Sequence, residues 1–485
     1  MTRVAVVEPN FHESTYLYPE GKRVFHRVWE NLPLEYSAAV LEQNEIDVKY
    51  IDAHASNLSP DDAMRQIESF SPDYVVISST DYDRFCCPQF ETTELDVFSR
   101  KVKEVLPKVK LIAVGPHGTY WPDKLLSNKN IDFITRREFD YTVHDLISTL
   151  EKGKSVKRVK GIGFREGKKF VKTPFRDFIQ DLDALPFPHR EDMDRYFDSA
   201  RSALFDFGIS KDLRPMALMM GSRGCPMRCI FCLQKSFFGL QYRMRSPRSI
   251  VDEMELLVND HKVEFIWFLD EMLTYNKKRC LSIMGEIVKR GIDIQWCCNS
   301  RVDRIDDEML KAMKKAGCQS MMFGVESCSK PVLDALKKDI TREQIKRAVK
   351  LARKNDIVAK LFLLWGSPSD SKETMESCVD FVDEVKPNIA VYHDVIPYPT
   401  TELFNMACAE GRVKDDYDWE GICKATGHTG NQLTPEELVK YGKILKTRLA
   451  INNFSQLFGP AFFINPKFLA WFVKSVRAGD IKKLV

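Results

Sequence analysis

The feature that most limits the fold is an alternation of strand and helix patterns that runs twice along the chain. In residues 1–150 the apolar runs VAVVEP, VKYIDA, YVVISS, KLIAVGP and IDFITR are separated by amphipathic stretches. Parallel neighbours need a crossover between them, so the pattern predicts a parallel sheet with helices on both faces. Five such strands most simply take the flavodoxin-like order, with ligands beyond the strand C-terminal ends at the switch point. The loops there are EPNFHES, SSTDYDRFCC and GPHGTYW. From residue 213 a second alternation supplies MALMMGS, FIWFLDE, IQWCCNSR, QSMMFGVES, AKLFLLWG and IAVYHDVIP. Six units, where a full barrel has eight, predict a partial (β/α)6 TIM-type barrel over residues 213–410. In TREQIKRAVKLARKN, Ile345, Ala348, Val349 and Ala352 recur at helical spacing behind Thr341 as N-cap, with Gln344 at the capping-box position. Residues 151–212, with the hairpin pattern GIGFREGKKFVKT and the proline-bearing DLDALPFPHRE, read as a structured linker. Residues 411–485 read as a small, mainly helical accessory region, and TPEELVKYGKILKTRLAINNF as its main helix.

Composition narrows the class of function. Seventy-two basic against 69 acidic residues leave a net charge of +3, too even to argue for a nucleic-acid partner. The N-terminus MTRVAVVEPN has no signal-peptide core and enters a strand, which predicts a cytoplasmic location. In that compartment thirteen cysteines point to metal or catalytic thiols rather than a disulfide framework. The apolar stretch LFGPAFFINPKFLAWFV is broken by Pro460, Asn465, Pro466 and Lys467, so it is no spanning helix. Its aromatics and the basic tail SVRAGDIKKLV fit either a segment packed on the barrel, the favoured reading, or peripheral contact with a membrane or greasy substrate.

Functional side chains of a parallel barrel sit after its strands. Read in order, the strand ends carry Cys225, Cys229 and Cys232, then Asp270 and Glu271, Asn299 and Arg301, Glu326 and Ser327, Gly366 to Pro368, and Tyr392, His393 and Asp394. Three closely spaced thiols in SRGCPMRCIFCLQ suit zinc or an iron–sulfur cluster. A zinc site usually adds a second ligand pair, and no comparable CxxC or HxxxH follows. A cubane held by three cysteines leaves one iron open to substrate, which accounts for a missing fourth thiol. The cysteines at 280, 297, 298, 318, 328, 378, 408 and 423 read as small hydrophobes. Cys86 and Cys87 lie nearer the first sheet's ligand edge.

The CxxxCxxC array after the first barrel strand, with GCPMRCIFC, FLDEMLT, WCCNSRVDRIDDEMLKAMKKAGC, MFGVESCSKPVLDALKK, LLWGSPSDSKETM and IPYPTTELF, resembles the radical S-adenosylmethionine enzymes. A flavodoxin-like domain and the DLDALPFPHRE linker upstream resemble the cobalamin-dependent subgroup. The resemblance implies a [4Fe-4S] cluster on Cys225, Cys229 and Cys232 whose open iron chelates S-adenosylmethionine. It places Phe231 along the adenine, Asp270 and Glu271 at the methionyl amine, and Asn299, Arg301 and Glu326 at carboxylate and ribose. Gly366 and the PYPTT turn would pass the adenine, with Thr400 standing where relatives often carry glycine. Cobalamin would meet Ser78, Ser79, Thr80, Gly115, Pro116 and His117. No DxHxxG follows the first strand, and TRREFDY stands where relatives often have a Gly/Glu-rich turn.

The implied activity is reductive cleavage of S-adenosylmethionine to activate a C–H bond, with C-methylation through methylcobalamin as first expectation. A cobalamin-assisted cyclase or rearrangement is the second, and a non-catalytic corrinoid or metal-binding sensor a third of another class. Methylthio transfer to transfer RNA is disfavoured, since only Cys86 and Cys87 lie upstream where a second triad would be. Expected partners are a small-molecule or lipid-like substrate and a reductant such as ferredoxin or flavodoxin. Tyr392, His393 and Asp394 are the candidate substrate contacts.

Overall fold

The computed structural model describes residues 1–11, 28–82, 88, 92–191, 193–196, 207–209, 215–415 and 418–458. Cys86, Cys87 and the apolar and basic tail from residue 459 lie outside them, as does most of the loop after the first strand. The first sheet contains β1 (Arg3–Glu8), β2 (Asp47–Asp52), β3 (Tyr74–Ser78), β4 (Lys110–Val114), β5 (Phe133–Thr135), β6 (Ile162–Glu166) and β7 (Lys169–Lys172). Their order is β2-β1-β3-β4-β5-β6-β7. The first five pair in parallel, and the expected flavodoxin-like order is what forms, with its switch point between β1 and β3. The hairpin β6–β7 then joins antiparallel to β5 and continues the same sheet.

The second sheet has β8 (Met216–Met219), β11 (Phe265–Phe268), β12 (Gln295–Ser300), β13 (Cys318–Glu326), β14 (Val358–Trp365) and β15 (Ile389–Asp394), all parallel, in the order β15-β14-β13-β12-β11-β8. It is the expected six-strand partial barrel. Helices Pro247–Asn259, Lys277–Arg290, Asp307–Lys315, Arg342–Lys354 and Lys372–Val385 form its outer layer. The capping box of Thr341 and Gln344 forms as predicted, each side chain bonded to the other's backbone N–H. Alternation along each strand separates two faces. Ile266, Phe268, Trp296, Cys298, Phe323, Leu361 and Leu363 are buried against the helices. Phe265, Cys297 and Met322 face inward and share a core with Trp29, Leu32 and Trp121 of the first domain.

A six-strand sheet leaves β8 as an open edge, and an open edge exposes unpaired N–H and C=O groups. Here two charged side chains take them. Glu30, just before the helix Leu32–Gln43, accepts a hydrogen bond from the Leu218 amide at 2.5 Å. Arg190, from PFPHRE, donates to the Leu218 carbonyl at 2.7 Å, pairs with Glu30, and reaches Glu253 at 3.0 Å. Arg245 holds the same Glu253. All four charged side chains are buried. Breaking a buried pair by removing one partner typically costs about 3–5 kcal/mol. Glu30→Gln, which removes one of the two carboxylates paired with Arg190, is expected to destabilise the chain by no more than about that amount, read as a fall in the denaturation midpoint.

Candidate functional site

The three thiols sit on the loop between β9 (Ser222–Arg223) and β10 (Arg243–Met244), a short antiparallel pair at the end of β8. Gly224 has φ +84°, and a Cβ there would stand 2.2 Å from the Gln241 carbonyl, so only glycine lets the loop turn before Cys225. The Cys225 amide donates to Gly239 O at 3.1 Å. Ile230 is pinned between two helices, donating to Leu336 O and accepting from the Leu403 amide. Phe231 lies partly exposed on the apolar patch that this makes with Val332, Leu336, Val395 and Leu403.

The thiols do not converge on a single ion, and among the described residues no trio of His, Cys, Asp or Glu does. Desolvation pushes Cys225 up to about 11, helped by the Glu271 charge. The same two causes, burial first, raise Cys232. Thiolates that are unfavourable alone and partly accessible form when a cation neutralises them, so the donor set fits an iron–sulfur cluster.

Around the thiols the strand ends converge as expected, with different partners. Asp270 is buried, accepts from the Gly221 amide at 2.8 Å and from the Ser222 hydroxyl, and so braces the start of the loop. Glu271, the next residue, is the carboxylate whose field reaches Cys225 and Cys232. Desolvation and then its Asp270 neighbour push it up to about 7. Arg301 is held by Asp303 at 2.8 Å and by Lys338 O at 2.9 Å. Glu326, with φ +67° at an irregularity in β13, pairs with Lys338 at 2.8 Å. Burial raises the Cys229 thiol as well, an effect that the Lys338 and Arg301 charges oppose. The mouth therefore offers two cations and two carboxylates, a match for the ammonium and carboxylate of an amino-acid ligand. Lys338 was not singled out in the sequence because it follows a short helix, not a strand; the doubled lysine of ALKKDIT gives no periodic signal.

The inward face is not filled. Trp267, Leu269, Asn299, Gly324, Phe362, Leu364 and Val391 are partly exposed, while their outward neighbours are buried. His393 is exposed at the rim, its ring 6.0 Å from Phe362. Tyr392 is a correction. One residue along the strand, it points into the helix layer and stacks on Trp365 at 4.2 Å, so it is no substrate contact. Asp394 lies beside Lys446 and His428, with desolvation raising its pKa. Gly366, at φ +66°, sits against Gly427, where a Cβ would meet the carbonyl at 1.9 Å.

At the ligand edge of the first sheet, His117 Nδ1 and Ser79 Oγ are 2.9 Å apart. Gly115, at φ +111°, leaves Ser79 the space a Cβ would take. Pro116 caps the short helix His117–Tyr120. Ser78 turns inward instead, bonded to Thr80 O and to Asn31, which also holds Glu8. Thr80 is buried beside Asp81.

Residues 219–382 match the model of the radical SAM superfamily and residues 22–147 that of the B12 binding domain. An uncharacterized methyltransferase of Pyrococcus horikoshii is 32% identical over 394 residues, covering 80% of each chain. The chain belongs to the cobalamin-dependent radical SAM enzymes. Its cofactors are thus cobalamin, a [4Fe-4S] cluster and S-adenosylmethionine. It is also similar to an anaerobic magnesium-protoporphyrin IX monomethyl ester cyclase of Rubrivivax gelatinosus, 29% identical over 83% of this chain and 69% of that one. The fold of this radical SAM enzyme matches the solved methyltransferase TsrM from Kitasatospora setae with TM-score 0.69 at 18% identity, covering 85% of this chain and 78% of that one. Among the described residues no helix is long and apolar enough to cross a membrane.

Two predictions concern the loops beside the mouth. Asp370 accepts from the Ser367 amide and the Thr374 hydroxyl, and desolvation pushes it from the ordinary 3.8 to about 7. Between these values the native state binds more protons than the unfolded one, so stability falls as pH rises through that window. Asp370→Asn is expected to remove this component from the dependence of the unfolding free energy on pH. Thr400 has φ +73°, a left-handed conformation that disfavours a β-branched residue. Thr400→Gly is expected to stabilise the chain by about 1 kcal/mol, seen as a higher urea midpoint at unchanged m-value.

Proposed function

We propose that this enzyme is a C-methyltransferase acting on an unactivated carbon of a small-molecule or lipid-like substrate held in the barrel lumen. The observation that carries this reading is the meeting of three parts at one mouth. Three thiols and a ring of charged strand ends stand beside a partly open, largely apolar inner wall. That wall shares its core with the domain matched by the B12 binding model. The methyltransferase relative from Pyrococcus horikoshii supports it. When bound, the reduced cluster with S-adenosylmethionine supplies a hydrogen-abstracting 5′-deoxyadenosyl radical, and cobalamin a transferable methyl group.

In this reading Cys225, Cys229 and Cys232 hold the cluster. Glu271 receives the methionyl ammonium, while Arg301 and Lys338 attract the carboxylate, with Asn299 and Glu326 beside the ribose. Asp270 is a brace for Gly221 and Ser222 and acts through them. Phe231 lies along the adenine. Ser79, Thr80, Gly115, Pro116 and His117 contact the corrin, and Ser78 supports them from below. Trp267, Leu269, Phe362 and Leu364 exclude water from the reacting carbon, and His393 faces the substrate at the rim. Positioning of these groups is the protein's main contribution, because the cofactors supply the reactivity. A ferredoxin or flavodoxin supplies the electron. Similarity to the Rubrivivax gelatinosus cyclase favours radical cyclisation as the second reading.

Anaerobic reconstitution with iron, sulfide and hydroxocobalamin, followed by reduction with S-adenosylmethionine and candidate substrates, distinguishes these readings. Methyl transfer requires both 5′-deoxyadenosine and S-adenosylhomocysteine to accumulate with methylated product. Deoxyadenosine with a converted substrate but no homocysteine product supports the cyclase. Corrin retention without any deoxyadenosine, at full iron loading, leaves only a sensor. Serine at any one of 225, 229 or 232 is expected to take deoxyadenosine formation to background and to reduce bound iron, whereas Cys378→Ser keeps both.

A further inference from the structure

The loop that carries the thiols is held by the first domain as well as by the barrel. Its two base strands each send a buried arginine across the domain boundary. Arg223 makes a two-pronged pair with Asp140, at 2.8 Å for both bonds. Arg243 reaches Glu138 at 2.8 and 3.0 Å. The third tie lies within the loop, where the Tyr120 hydroxyl donates to the carbonyl of Leu233 at 3.3 Å, one residue past Cys232.

The first-domain ends of these ties form one unit. Tyr120 closes the helix His117–Tyr120, whose first residue is hydrogen-bonded to Ser79. Thr119 Oγ1 in that helix accepts from the Arg137 amide at 2.7 Å. A Cβ on Gly118 would stand 2.0 Å from Thr135 O, so helix and β5 lie in close contact. Arg137, at φ +66°, turns the chain between β5 and the carboxylates of Glu138 and Asp140. The segment that carries Ser79, Gly115 and His117 is thus continuous, through hydrogen bonds and backbone contact, with the segment that clamps the cysteine loop.

We propose that cobalamin and the iron–sulfur cluster bind cooperatively in this protein, and that Tyr120 is the positioning residue through which the occupied corrin edge sets the Cys232 end of the cysteine loop. This rests on the assignment of Ser79, Gly115, Pro116 and His117 to the corrin. Either group, once bound, orders the shared segment, so the second binds to a partner already in place. Linkage makes the effect reciprocal.

The test is the dissociation constant of hydroxocobalamin for the full-length chain, by anaerobic equilibrium dialysis with cobalt analysis. It is measured on metal-free protein and on protein reconstituted to full iron content. Cluster loading is expected to tighten cobalamin binding by about fivefold or more, the lower range of allosteric coupling. In Tyr120→Phe, which removes one hydroxyl and keeps the ring in its core, the ratio between the two forms should fall towards one, with iron content retained. Asp140→Asn should lower it as well. Equal affinities in the two forms of the parent protein overturn the coupling while leaving the corrin assignment intact. An unchanged ratio in Tyr120→Phe overturns the role of Tyr120. Failure of either form to bind cobalamin overturns the corrin assignment and the coupling with it.

Discussion

The buried contact of Glu30 and Arg190 with Leu218 is the constraint on which the rest of the molecule depends. A barrel that stops at six strands has an edge, and an unpaired edge invites association with other chains. This chain closes it with the two ends of an ion pair, one contributed before the first helix and one by the interdomain segment. The pair supplies both a donor and an acceptor to one residue, as the amide of Asn453 does for Ala390 on the opposite edge strand. Because Glu30 belongs to the first domain and Arg190 to the segment between the domains, closing the edge also ties both to the barrel. The inner face of the barrel is then turned towards the first domain, and the apolar core common to both follows from that orientation.

Electrostatics at the mouth follow from the same arrangement. Burial raises the thiols and Glu271, and Lys338 and Arg301 are held by Glu326 and Asp303. The partly exposed inner wall is largely apolar, with Asn299 and His393 towards its mouth and the Lys360 ammonium 5.1 Å from the Phe362 ring within it.

Two stretches that the resemblance left unexplained have structural roles. Thr400 occupies a backbone conformation that suits glycine, and its hydroxyl is bonded to Ser236 at 2.9 Å on the short helix after Cys232. The turn RREFD, read in the sequence only as an unfamiliar stretch, supplies both carboxylates that clamp the cysteine loop. Tyr392 shows the opposite case, a residue named from its place at a strand end that alternation sends to the other face.

The sequence alone determined the two β/α blocks, the order of the five parallel strands of the first sheet though not the hairpin that extends it, the number of barrel strands and the three thiols, because periodicity and short-range spacing are local properties of the chain. Capping at Thr341 was legible for the same reason. Only the tertiary structure decided which arginine meets which carboxylate, that Lys338 joins Glu326 at the mouth, that Asp270 braces a loop while Glu271 faces the thiols, and that Tyr120 reaches Leu233. Those contacts join residues remote in the chain, and their partners depend on domain packing and on the face a strand presents, neither of which leaves a repeat or a spacing to read.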